Sequence, residues 1–232
     1  MTIKDAIDVA GLHTIRIPAA LCGVYGLRPS AHTVPLAGFQ PPGAPAGANE
    51  MTYLSTLGPL ARTAEDLRTA LAATAGPLAP CDRAYRWNLA PARHAELKEF
   101  RVGFVLDDDN APVSSEASNA LSGLDSCQNY FRDVDIFLSP ATLSAAYPHD
   151  SRPFHERTIP TPDGELPYVN QVFWIAHAAL VGLPAVVAPV GQTPAGLPVG
   201  VQVVGPQYDD DTAITFAELL APLTVGSLRP PI

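Results

Sequence analysis

Proline and glycine interrupt this chain so often that long regular elements are excluded: 25 Pro and 17 Gly occur among 232 residues. Each Pro removes a backbone donor and fixes φ, and each Gly weakens a helix or strand interior. The pattern predicts short strands and helices joined by many turns, and argues against a helical bundle. The chain is 47% hydrophobic and 16% charged. That supplies a real core and excludes an acidic, disordered tail. The length fits one to two domains. Net charge is −9 with 14 basic residues, so a phosphate-binding footprint is missing and no nucleic-acid partner is expected. Cys22, Cys81 and Cys127 are widely spaced with no CxxC pair, which supports neither a zinc knuckle nor a disulfide framework. The start MTIKDAIDVAG lacks a signal-peptide apolar run. No stretch reaches about 18 apolar residues, so no membrane span is expected. The expectation is a soluble, cytoplasmic α/β protein with a mixed β-sheet flanked by helices.

Local patterns place the elements. Ala19 to Leu27 (AALCGVYGL) reads as a buried strand or strand–turn ended by Pro29. Residues 34–50 read as a long Pro/Gly/Ala loop. Thr63 is a helix N-cap with Glu65 and Asp66 in the first turn, and Gly76-Pro77 stops the helix. Residues 77–96 look irregular. Arg101–Leu106 and Val134–Leu138 read as strands, the second closed by Ser139-Pro140, with a short helix over 115–124 between them. Asn170–Val181 has helical spacing through Val172, Phe173, Ala176 and Leu180. Ala185–Val190 and Val199–Val204 read as a hairpin, and Asp211–Leu220 as a terminal helix.

Few residues suggest chemistry by themselves. His149 and His155 lack a metal-ligand spacing and read as loop residues. Asp107–Asp109 and Asp209–Asp211 lack EF-hand spacing and read as a solvated turn and a helix start. Cys22, in an apolar run, reads as a buried structural thiol. There is no GxSxG elbow and no phosphate-cradling glycine loop. Lys4, between Ile3 and Ala6, could be a desolvated base, although an exposed terminal lysine explains the same pattern.

Longer stretches carry a resemblance. IKDAIDVAGLHT (3–14) resembles the segment around the catalytic lysine of amidase-signature enzymes, and IRIPAALCGVYGLRPS (15–30) resembles the stretch after their nucleophilic serine. GPLARTAEDLRTALAATAGP, FRVGFVLDD, DVDIFLSPA and LVGLPAVVAPVGQTPAGLPVGVQVVGP are similar to later family blocks in the same order. The resemblance implies an amidase-signature-like fold and hydrolysis of a small carboxamide by a Ser–cis-Ser–Lys triad, without cofactor or metal. Lys4 would be the triad lysine, taking a proton through the bridging serine.

The sequence departs from that pattern at the serines. The lysine box and the IRIPA box abut at Thr14-Ile15, and no Ser precedes Ser30. Relative to the family, a second stretch is absent between Leu124 and Cys127, and sequence before Met1 as well. The expectation is one incomplete domain over 1–232, with retained blocks 1–14, 15–125 and 126–232. Thr14 stands where the family's nucleophile would stand, but it also matches the threonine closing the lysine box. Arg16 and Asp8 read as structural partners near the old site. These features imply an amidase-family chain that is inactive or severely impaired. The alternatives are a catalytically dead binding or partner subunit, as a homo-oligomer or paired with an intact homologue, and an unstable mis-spliced fragment.

Overall fold

A hairpin of apolar strands organises the molecule. The computed structural model describes residues 7–9, 12–36, 56–109, 111–117 and 134–227, with backbone alone for 7–9 and 12–14. Strands β1 (Ile7–Val9) and β2 (Leu12–Thr14) form a small antiparallel ribbon. It leads directly into helix α1 (Arg16–Cys22). β3 (Tyr25–Arg28), β4 (Leu60–Ala61), β5 (Val102–Phe104), β6 (Ile136–Pro140), β9 (Ala185–Gln192) and β10 (Pro198–Val204) build a six-stranded sheet in the order β4-β3-β9-β10-β6-β5. β7 (Thr158–Thr161) and β8 (Gly164–Pro167) form a separate hairpin. Every neighbouring pair in the large sheet is antiparallel except β5–β6.

Alternation along β10 assigns the two faces. Val199, Val201 and Val203 join the main core. Helices α2 (Ala64–Thr74) and α4 (Asp210–Leu220) cover that face with Leu67, Leu71, Ile214 and Phe216. Gly200, Gln202 and Val204 point to the other face, under α1 and α3 (Val172–Leu180). Gly200 is needed there, because an added Cβ would lie 3.1 Å from the backbone of Ala20 in α1. The mixed sheet flanked by helices is therefore as expected, with helices on both faces.

The segment expected as a strand over Ala19–Leu27 is a helix followed by a strand. α1 ends at Gly23 in the left-handed conformation, at φ 64°. Pro18 is tolerated because it lies in the first turn, where its missing N–H leaves no helical bond unmade. Ala19 and Ala20 bury their methyl groups against Val187, which only a helix with small residues can do at this spacing. Cys22 falls on the opposite side and is exposed, which corrects the buried reading.

Other expectations hold with shifted ends. Thr63 Oγ1 accepts the Asp66 N–H at 3.1 Å and caps α2. Ser139 and Pro140 do not close β6 but pair within it, opposite Gln202 and Val201. α3 buries Trp174, Ile175 and Ala178, not the stripe through Phe173 and Leu180, which is exposed. Helix is present over residues 115–117 and the rest of the expected 115–124 helix lies outside the described residues, as does all of the expected 34–50 loop beyond residue 36.

Two polar clusters fasten the layers. Asp210, fully buried at the start of α4, accepts the Ser30 N–H at 2.8 Å and the Ser30 O–H at 2.6 Å. The acidic run at 209–211 is therefore not merely a solvated helix start. Asp135, at the entrance to β6, accepts bonds from the Arg101 N–H, the Arg101 and Arg93 side chains and His94. Burial alone would raise its pKa, but these donors outweigh burial and hold it at about 2.

Asp210→Ala should destabilise the fold by about 2–4 kcal/mol in urea unfolding, because the buried Ser30 N–H then loses its acceptor. For Asp135 the folded pKa lies below the unfolded value near 3.9. Its contribution is therefore complete above about pH 4 and is lost as pH falls toward 2. The gap in melting temperature between wild type and Asp135→Asn should be constant from pH 7 to about pH 5 and close between about pH 4 and 2.

Candidate functional site

The turn from β2 into α1 carries the expected catalytic segment. Thr14 is the last residue of β2, its backbone in register with Ile7. The Thr14 and Asp8 side chains and all of Lys4 lie outside the described residues. What the fold does place is the residue two positions later. Arg16 is 3% exposed, at the start of α1. One guanidinium nitrogen donates to the Gln202 amide oxygen, and the other donates to the Ile175 carbonyl at 2.8 Å. Arg16 thus ties α1, β10 and α3 together, as its expected structural role requires.

Gln202 has no spare donor. Its oxygen accepts from Arg16, and its NH₂ group donates to Ser139 Oγ and to the Trp174 carbonyl, both at 2.9 Å. A side-chain NH₂ has two hydrogens. The His177 Nε2, 3.5 Å away, is therefore left with a long contact. Burial, and then the nearby Arg16 charge, push the His177 pKa down to about 4. The imidazole is neutral across the physiological range. Burial, and secondarily the Arg28 charge, also lower the pKa of Arg16, with no carboxylate bonded to it among the described residues.

A groove opens beside this cluster, between α3 and the β5–β6 side of the sheet. It encloses about 750 Å³ and is lined by Val105, Phe137, Phe173, Leu180 and Val204 with His177. The size is that of a small-molecule site. Sequence reasoning missed the groove because its walls come from four elements distant in the chain. Gln202 and His177 were missed too, since a single Gln in a valine-rich strand gives no pattern.

Two buried hydroxyls, Ser139 and Ser30, are engaged within the protein. A nucleophilic hydroxyl needs a base within hydrogen-bonding reach. Ser139 Oγ accepts from Gln202 and donates to the Pro140 carbonyl, and it is fully buried. Ser30 Oγ lies against Asp210 but also accepts the Tyr208 N–H and has no exposure. Cys22 and Cys81 are free and exposed. His149 is exposed, and His155 is an exposed side chain 3.5 Å from Glu156. No group of three or more His, Cys, Asp or Glu is placed to hold a metal among the described residues. No described helix is long and apolar enough to cross a membrane.

The Amidase family model matches residues 8–125 and 122–214. The chain belongs to the amidase family. The two stretches overlap at 122–125, and the first includes Thr14-Ile15. This amidase-family chain is 38% identical over 100 residues to the A-subunit of glutamyl-tRNA(Gln) amidotransferase from Rhodospirillum rubrum, covering 43% of this chain and 18% of the relative. It is 30% identical over 102 residues to the protein of the same name from Gluconobacter oxydans, covering 44% and 19%. Similar folds occur in a vestigial protein complex bearing on the origins of an s-triazine catabolic enzyme, with TM-score 0.69, 21% identity and coverage of 96% of this chain and 63% of that one. A bacterial aryl acylamidase of the amidase-signature enzymes matches with TM-score 0.64, 17% identity and coverage of 90% and 60%. The chain therefore spans less than two thirds of each relative's length.

Replacing Gln202 by Leu should remove the acceptor of Arg16 and leave a buried guanidinium with one partner. The expected cost is about 3–5 kcal/mol, more than an ordinary polar-to-apolar change in a strand, and equilibrium urea unfolding reads it.

Proposed function

We propose that this chain descends from hydrolases acting on the carbon–nitrogen bond of a small carboxamide, and that it does not itself turn over amides at a useful rate. The observation that carries the reading is the junction at Thr14-Ile15. The first matched stretch includes it, yet no serine precedes Ser30. Lys4 would then be a base with no hydroxyl relay to act on, and Thr14 would be a structural residue closing the ribbon before α1. The hydroxyls of Ser30 and Ser139 offer no substitute, since both are buried and bonded. Losing the nucleophile of a catalytic unit forfeits most of its rate, because the remaining members cannot act without it. The division of the family match into two stretches that overlap at 122–125 supports a second discontinuity, between blocks 15–125 and 126–232. No cofactor or metal is required by this chemistry, and the cytoplasm is its expected compartment.

The groove favours a second reading, that of a catalytically silent binding protein. α3 is apolar on nearly every side, and a helix of that kind is normally buried. Yet Leu180 is 65% exposed and Phe173 39% exposed. A small uncharged carboxamide with an aromatic or aliphatic body fits walls of this character, with the neutral His177 as its polar contact.

Ammonia release from benzamide and acetamide should stay at the buffer background for wild type and for Lys4→Met alike. Robust release by the wild type that disappears in Lys4→Met would overturn the proposed inactivity. Under the second reading, benzamide should bind saturably without turnover, and His177→Ala should weaken that binding by about fivefold to tenfold, the size of one ordinary hydrogen bond.

A further inference from the structure

We infer that the exposed surface formed by residues 81–87 and Tyr208 is a docking site for an acidic, extended peptide segment of another protein. None of its residues lines the groove or bonds to Arg16 or Gln202, and it does not depend on the chain being active or silent.

The surface begins with two rings that the fold holds in place. Trp87 and Tyr208 stack with centroids 5.7 Å apart and planes 25° from parallel. Both rings remain in contact with water, at 42% and 38% exposure, and Tyr85 beside them is 67% exposed. Tyr208 has φ 64°, a left-handed conformation that a non-glycine residue adopts only when its surroundings enforce it. The enforcing contact is its N–H, which donates to Ser30 Oγ at 2.8 Å, while Ser30 is itself clamped by buried Asp210. A fixed aromatic platform binds with little loss of conformational freedom.

The charges in the same stretch of chain as Trp87 give the partner's chemistry. Arg83 and Arg86 are exposed and have no hydrogen bond or ion pair among the described residues. Arg62 is in the same position elsewhere. By contrast Arg16, Arg28, Arg68, Arg93, Lys98, Arg101, Arg152 and Arg157 all engage protein groups. Between 77 and 95 the only carboxylate is Asp82, and since Arg93 is paired with Asp209 and Asp135, it stands against Arg83 and Arg86. A locally cationic, aromatic strip thus sits on a chain of net charge −9. Tyr, Trp and Arg are the side chains that dominate binding energy at protein interfaces. Arginine forks donate paired hydrogen bonds to carboxylates. Two uncompensated arginines match a few carboxylates, and are too few to neutralise a nucleic-acid backbone against the overall negative field.

The test uses the whole chain and the synthetic peptide Glu-Glu-Tyr-Glu-Glu, read by titration calorimetry and by Trp87 fluorescence. Saturable binding is expected, weakening as salt rises and falling at least tenfold in Arg83→Glu/Arg86→Glu and in Trp87→Ala. Asp82→Asn should strengthen it. All of these changes lie on the surface, and unchanged melting temperatures would show that the fold is intact. The inference is overturned if no saturable binding occurs, if the charge-reversed variant binds equally well, or if Lys-Lys-Tyr-Lys-Lys binds as tightly. It is also overturned if oligothymidylate binds in place of the acidic peptide, or if the double reversal abolishes concentration-dependent self-association, which would make the strip a contact between copies.

Discussion

The buried guanidinium of Arg16 is the point on which one whole face of the sheet depends. A charge at 3% exposure is expensive to remove from water. Among the described residues it is held without a carboxylate, by a glutamine oxygen and a helix carbonyl. Gln202 in turn uses its two hydrogens on Ser139 and Trp174. The consequence is a polar joint in which α1, α3, β6 and β10 share one set of bonds. Helix α1, only seven residues long, could not persist alone. Its position comes from that joint, from Gly200 beneath it and from the small side chains of Ala19 and Ala20.

A second buried pairing does the same for the opposite face. Asp210 satisfies Ser30, and Ser30 satisfies Tyr208. Arg28, two residues before Ser30, donates to the carbonyls of Leu183 and Ala179 at the end of α3, where the negative end of a helix favours a cation. Burial nevertheless draws the Arg28 pKa down to about 10, with the Asp210 charge acting in the opposite sense. The short strand β3 and its continuation to Ser30 therefore connect both layers.

Some of this was legible in the sequence and some was not, for definite reasons. The α2 cap at Thr63, the β9–β10 hairpin and the α4 helix follow from local patterns, and each was correctly placed to within a few residues. The α1 segment was misread because AALCGVYGL is short, apolar and without period, so a strand and a helix ended by Gly23 look the same. The β7–β8 hairpin was missed although Pro162-Asp163-Gly164 is a recognisable turn signal. The exposed face of α3 was inverted because an all-apolar helix has no polar side to mark its orientation. For the expected site, Arg16 is seen to be structural, while the roles of Lys4 and Thr14 remain expectations drawn from the resemblance.

Neighbours along the chain were enough to point to the family, the mixed α/β class and the lack of a serine before Ser30, since each is carried by contiguous residues. Which polar groups are structural and which surfaces are open was settled in three dimensions alone. Gln202, Ser139 and Arg16 meet across gaps of 63 and 186 residues. Trp87 meets Tyr208 from a distant part of the chain, and the groove takes its walls from four separate elements. Such contacts arise from the packing of layers, where burial makes each hydrogen bond obligatory, and no local pattern records them.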